Sequence, residues 1–421
     1  MKNQPDQTTV ASEVRADSPD SPSTPLPDAQ VPAVRVILLL ALASFASTSA
    51  VRVLDPALPA LATEFGITTG QAASAITAYS IAYGLLLFVY GPIGDRFGKY
   101  KTLSIATLAC AVSSVLVALA PTFGWLVIAR VLAAATGAAI VPLSMAWIGD
   151  HVPYERRQAT LAQFTIGSIL GITGGQIIGG VFTDTLGWRA AFYFLAVIYL
   201  IVGGLLWSQR SVVPDEAGKH VQLNRIFTPI RTVLRVPWAR VVLLTVLLEG
   251  AVVFGAISFV PAFLQDKYAM SPSSAGTITS LFAVGAFLYV FRARWLVARL
   301  GEKLMVRWGG GILLVCYAIY LYAPSWQWSI LASIFTGLGY YFIHAVLQTN
   351  ATQMAPQLRG TAVSLASSCL MLGQSVGVGA GSFLVDWLGI AWVLIVAMVI
   401  LPVLAMWFSY QIAVSRKSES T

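Results

Sequence analysis

Apolar positions along this chain neither alternate nor hold to one narrow helical stripe. From residue 34 onward they come in long continuous runs, separated by short polar segments. A helix needs about 20 apolar residues to cross the hydrocarbon of a bilayer. Twelve such runs are predicted. The first six lie at 34–61, 71–91, 102–120, 123–148, 159–182 and 190–207. The second six lie at 238–264, 275–297, 304–323, 327–350, 361–384 and 389–412. Lipid offers no hydrogen-bond partners, so each run must satisfy its own backbone and reads as a helix. The expected fold is an all-α membrane protein of twelve transmembrane helices.

The remaining segments are polar. Residues 1–33 carry six prolines and five acids, and read as a disordered cytoplasmic tail. Residues 34–207 form an N-terminal six-helix half, 208–237 a cytoplasmic linker, 238–412 a C-terminal six-helix half, and 413–421 a second tail. The stretch from Val36 to Ala50 has the small-residue ending of a signal peptide. It starts too late, follows an acidic segment and continues as apolar sequence, so it is read as part of the first span.

An internal repeat supports two pseudo-symmetric halves. Phe65, Gly66, Ile67 and Thr68 match Tyr268, Ala269, Met270 and Ser271 at an offset of 203, as Trp125 does Trp328. Pro153, Arg156 and Ala159 match Pro356, Arg359 and Ala362 at the same offset. At 202, Gly171, Gly175 and Gly179 match Gly373, Gly377 and Gly381, and Asp184, Leu186 and Gly187 match Asp386, Leu388 and Gly389. Parallel six-span repeats mark a transporter architecture with its substrate site between the halves, near the midplane.

Composition agrees. Of 421 residues, 57% are hydrophobic and 10% charged, against about 25% charged in a soluble domain. That excludes a soluble enzyme, a disordered protein and a disulfide scaffold. The net charge of +8 is distributed as topology and not as a nucleic-acid surface. With the N-terminus in the cytoplasm, 22 of the 26 Lys and Arg fall on the inside; Arg189 and Lys267 lie outside, and Arg52 and Arg130 lie within spans. Both termini are therefore expected in the cytoplasm of a multi-pass plasma (inner) membrane protein. Cys110, Cys316 and Cys369 each sit in an apolar run and read as packing residues. The sequence has no HExxH, metal cluster or nucleophile motif, so no enzyme, metal or cofactor is expected.

Between the second and third spans the chain reads Gly91-Pro92-Ile93-Gly94-Asp95-Arg96-Phe97-Gly98-Lys99. Gly91 permits close helix approach, Gly98 a tight turn, and Asp95 an anion at a helix N-terminus. This loop resembles the signature of the major facilitator superfamily, over nearly the whole chain beyond the tail. The resemblance implies a conformational latch of Gly91, Asp95, Arg96, Gly98 and Lys99, closing against the start of the eleventh span at Arg359-Gly360-Thr361. The second-half copy, Arg294 to Lys303, lacks the first glycine and the aspartate.

The fourth span carries Arg130, with Pro142 twelve residues on, and resembles the family's arginine motif. An arginine in lipid needs a partner. Arg130 lies about 10 Å below the start of its span, and Asp55 at a comparable depth in the first, so the two are candidate partners if those spans adjoin. The fifth span reads Gly171-x3-Gly175-Gln176-x2-Gly179-Gly180. It resembles the motif of proton-driven exporters, with Gln176 where a proline is usual. The same glycines also suit a plain packing seam, as do Gly373, Gly377 and Gly381. Glutamine keeps the helix hydrogen-bonded, so the fifth span is expected to be straighter, with its amide meeting a polar contact between the halves or the substrate.

Ionisable residues within spans form the functional shortlist: Arg52, Asp55, Arg130 and Glu249, with His344. Arg52 and Asp55 share a helix face and can neutralise each other. Glu249, with no base near in sequence, suits proton carriage or a cationic substrate. Asp55, Glu249 and Arg130 are assigned to proton coupling. Arg52, Tyr83, Gln176, Glu249, Tyr341 and His344 are assigned to substrate. The resemblance implies a monomeric secondary transporter in lipid, most similar to the drug:proton antiporters. It would export small amphipathic compounds by alternating access, powered by the proton gradient without a cofactor. The alternative is a proton-coupled importer of a small organic anion or polar metabolite.

Overall fold

A computed structural model describes residues 34–211, 213 and 227–420. The N-terminal tail at 1–33 and most of the expected linker lie outside the described residues. What is described is helical throughout, with no strand among the described residues.

The first span enters as α1 (Val34–Arg52), breaks, and resumes as α2 (Leu58–Phe65). A short 3-10 turn, Asp55–Ala57, fills the break. Pro56 lies inside it and has no N–H to continue the helical ladder. There follow α3 (Thr69–Phe97), α4 (Lys99–Ala118), α5 (Phe123–Gly137), α6 (Ile140–His151), α7 (Tyr154–Thr185) and α8 (Trp188–Ser208). Thr68 and Gln71 form a reciprocal capping box at the start of α3. After α9 (Phe227–Arg235), α10 (Pro237–Glu249) passes through a π-helical turn, Gly250–Phe254, into α11 (Gly255–Tyr268). The chain ends with α12 (Pro272–Ser280), α13 (Phe282–Tyr322), α14 (Gln327–Gln353), α15 (Arg359–Leu388) and α16 (Ala391–Ser420).

Eleven helical stretches among the described residues are long and apolar enough to cross a bilayer. The difference from the twelve expected lies in one stretch of 51 residues, Pro272–Tyr322, which joins the runs read at 275–297 and 304–323. Within it Gly301 leaves helical geometry, at φ 64° and ψ 168°. Only glycine adopts that conformation without strain, and it marks the kink where the two runs meet.

The glycine stripe of α7 packs against α1. A methyl group at Gly167, Gly171, Gly175 or Gly179 would strike the carbonyls of Ala41, Phe45, Ser49 or Val53. In α15, Gly373 and Gly377 face the carbonyls of Leu247 and Ala251, and Gly381 faces the Phe259 ring. Each stripe lets two backbones meet without intervening side chains. Gly180 instead meets the Pro272 carbonyl at the start of α12, joining α7 to the C-terminal helices.

Candidate functional site

The loops of Asp95, Asp150, Arg156 and Arg359 gather at one end of the helices, here termed the basic end. The turns after α2, α4, α7, α11 and α15 lie at the opposite end. A cavity of about 680 Å³ opens at the basic end, where Thr352, Arg359 and Gly360 are exposed. It penetrates between α1, α3, α6 and α7 on one side and α14 and α15 on the other, reaching Thr48, Tyr83, Ser168, Leu370 and Met371. Such a volume suits a drug-sized ligand.

The opposite end is closed by paired contacts. Asp386, at the end of α15, accepts from the Thr68 hydroxyl (2.8 Å) and from the Gly70 N–H (3.0 Å) in the first turn of α3. Asp184, at the end of α7, accepts from the Ser273 hydroxyl in the first turn of α12. The residues of these clasps stand in the repeat relation: Asp184 with Asp386, and Gly70 with Ser273. Both carboxylates face helix N-termini, whose dipole and free N–H groups favour an anion.

Deeper in the protein lies a polar cluster at the break of the first span. Arg52 and Asp55, 3% and 0% exposed, pair at 3.3 Å. The Gln176 amide donates to the same Asp55 oxygen at 2.9 Å. Arg52 also reaches across to the C-terminal helices. It donates to the Ser258 hydroxyl (3.1 Å) and the Gln374 side-chain carbonyl (3.5 Å), and lies 4.5 Å from the Phe254 ring centroid. Asp55 Oδ1, Gln176 Oε1 and Gln374 Nε2 have no hydrogen-bond partner among the described residues. Arg52 and Gln176 line a small void of about 20 Å³ with Phe254, Thr279 and Ser280.

Arg130 does not pair with Asp55. It donates to the Ala50 carbonyl at 2.9 Å and lies 3.9 Å from the Tyr79 ring centroid. The equal depth expected of the two residues does not give them a hydrogen bond: Arg52 and Gln176 bond one Asp55 oxygen and Arg130 turns to the Ala50 carbonyl. The Gln176 amide thus bonds within the N-terminal helices and reaches the C-terminal ones through Arg52, while its backbone carbonyl lies against Gly276 of α12. It does not line the large cavity. Its helix α7 runs 32 residues without a break.

Glu249 has a base after all, from a distant part of the chain: His344 Nδ1 lies 2.9 Å from its Oε2. Glu249 is fully buried at the start of the π-helical turn, and its Oε1 has no partner among the described residues. Tyr340 stacks on His344 at 4.8 Å, with Tyr341 edge-on at 6.3 Å. Phe254 touches Tyr340 at 5.1 Å, linking this cluster to Arg52. Both intramembrane carboxylates therefore sit where a span departs from α-helical geometry, a common feature of functional positions.

Of the residues assigned to substrate from sequence, Tyr83 lines the large cavity; Arg52, Gln176, Glu249, Tyr341 and His344 do not. Sequence reasoning missed Thr48, Met145, Ser168, Arg359, Ser364 and Ser367 in its wall. Gly360, Val363, Ser364, Ser367, Leu370 and Met371 recur at helical spacing on one face of α15, a pattern visible in the sequence but shared by packing seams. Asp95 pairs with Lys99 at 3.1 Å, and Lys99 also bonds Asp150. Arg359 faces the cavity instead.

Comparison with known proteins follows the same lines. The chain is 25% identical over 351 residues to the uncharacterised MFS-type transporter YwfA of Bacillus subtilis, covering 81% of this chain and 84% of that one. It is 27% identical over 174 residues to the multidrug export protein EmrB of Haemophilus influenzae, covering 41% and 34%. Among solved structures, a bacterial homologue of the human lysosomal transporter Spinster, inward-facing and unoccupied, superposes with a TM-score of 0.70 at 18% identity, over 90% of this chain and 96% of that one. The human organic anion transporter MFSD10 superposes at 0.66 with 16% identity, over 90% and 100%. These likenesses are to transporters, not enzymes. The family model described as Major Facilitator Superfamily matches residues 40–323 and 243–420, and the chain belongs to that family of membrane transporters.

Proposed function

We propose that this protein is a twelve-span, two-half secondary transporter that exports small amphipathic compounds in exchange for protons. The observation that carries this reading is the cavity of about 680 Å³, open at the basic end and closed by the two aspartate clasps at the other. The positive-inside rule assigns the basic end to the cytoplasm, and both tails with it. The kink at Gly301 supports counting the 51-residue stretch as two spans. A multidrug export protein among the relatives supports the direction.

In this reading a substrate enters from the cytoplasm or the inner leaflet. Asp55 carries the coupled proton. Ionised, it holds the Arg52 guanidinium in the position from which Arg52 bonds Ser258 and Gln374 of the other half. A proton on Asp55 removes that negative partner and loosens the bridge between halves. The Glu249–His344 pair provides a second buried site for a proton. The two halves then rock about the cavity, parting the clasps and bringing Asp95 against the start of α15.

Purified protein in vesicles, offered a panel of amphipathic fluorophores under opposite pH gradients, tests the reading. Exchange predicts accumulation when the lumen is acid. Accumulation driven instead by acid outside would identify a symporter and overturn the export reading.

A further inference from the structure

We infer that the cavity takes amphipathic organic anions, with the negative group at Arg359 near the mouth and the apolar body against Met145 and Met371. This rests on the cavity being the transport site.

The charge in the cavity wall carries the argument. Among the described residues that line the cavity, Arg359 is the one charged side chain and there is no carboxylate. Arg359 makes no ion pair among the described residues and is exposed to the cavity mouth. Glu249, the carboxylate expected to suit a cationic substrate, is already engaged with His344, and Asp55 with Arg52 and Gln176. A cation entering this cavity would lose water and find no countercharge, which is unfavourable in a low-dielectric setting. An anion finds the guanidinium, a planar fork of donors matched to a carboxylate.

The surroundings of Arg359 have the same sign. It is the first residue of α15, and the preceding Leu358 supplies no side-chain cap to the free N–H groups of the first turn. Ser364 and Ser367 follow on the cavity face, and the Tyr83 ring stands deeper in the wall. A monoanion with an apolar body is thus met by charge and hydroxyls along α15 and by thioether and aliphatic surface elsewhere.

Binding of pyrene-1-butyrate, its neutral amide and the matching pyrenylbutylammonium, followed by pyrene fluorescence on the purified full chain, tests this. The carboxylate should bind at least about tenfold tighter than the amide or the ammonium, the scale of one charge-assisted hydrogen bond. Arg359→Gln should bring carboxylate and amide within about twofold of each other while the amide's affinity stays unchanged. Arg359→Lys should keep part of the preference, and Arg156→Gln, at the same end but outside the cavity wall, all of it. Equal or tighter binding of the ammonium, no binding of the carboxylate, or an undiminished preference in Arg359→Gln would overturn the inference. Carboxylate preference in a protein that accumulates nothing under either pH gradient supports anion selectivity and sinks the export reading alone.

Discussion

Arg52 and Asp55 are held 3.3 Å apart in a place where neither has water to fall back on. Removing one partner of a buried pair leaves an uncompensated charge and costs about 3–5 kcal/mol, whereas replacing both by apolar groups is often near neutral. Arg52→Met and Asp55→Leu should therefore each lower thermal stability in detergent, and the double variant should recover most of the loss. The double variant should also fail to drive concentrative transport, because the proton site is gone. A double variant that unfolds as early as the singles, or still transports uphill, would count against the pair's role. Spacing alone made this pair legible, since residues three apart share a helix face. The partners of Arg130, Gln176 and Glu249 were not legible. Depth along a span follows from residue number, but the direction a side chain faces depends on how spans pack. Arg130 meets the Ala50 carbonyl just before α1 ends, and Glu249 meets a histidine 95 positions away.

Close backbone approach joins several of the elements. Along α7, glycines at every fourth position lie against carbonyls of the first span, and on α15 Gly373 and Gly377 lie against those of Leu247 and Ala251. Gly175→Leu should then force α1 and α7 apart at Ser49, cutting the yield of folded protein and lowering its melting temperature. Overpacking costs roughly 1–3 kcal/mol even where neighbours can yield, and a carbonyl on a helix cannot. Gly204→Leu is the control, because nothing lies within 4 Å of a side chain added there. Equal stability of the two variants would dispose of the seam. At this scale the sequence was read well, because lipid makes every span a continuous apolar run. Its ambiguities were breaks within spans. Neither was foreseen: the Asp55–Ala57 turn has its breaker in Pro56, inside a run read as continuous, while the π-helical turn at Gly250–Phe254 has no comparable breaker. The glycine motif of the fifth span was open between exporter mechanism and packing, and the geometry of Gly171, Gly175 and Gly179 is that of a seam.

For the molecule as a whole, the repeat visible in the sequence reappears as two matching clasps, although nothing in the sequence said that Asp184 and Asp386 would face α12 and α3. At the other end Asp95 and Arg359 stand apart, with Asp95 held by Lys99. In the proposed cycle, the latch implied by the family forms only when this end closes. Asp95→Asn should leave membrane insertion intact but slow transport, and normal transport at normal expression would refute the latch. The clasps can be weighed against the change they restrain. The three hydrogen bonds to the two carboxylates, each worth at most about 1.5–3 kcal/mol and less where solvent reaches them, weigh against the roughly 5.5 kcal/mol that moves an equilibrium from 1:99 to 99:1. Their loss should shift the balance of conformations toward opening of this end. The most direct measurement is a pair of spin-label distances in the Asp184→Ala/Asp386→Ala variant, one between Met145 and Thr352 at the cavity mouth and one between Thr185 and Ala269 at the clasped end. Alternating access predicts that, relative to the unaltered clasps, the first distance shortens as the second lengthens. Lengthening at the clasped end with an unchanged or wider mouth would contradict it.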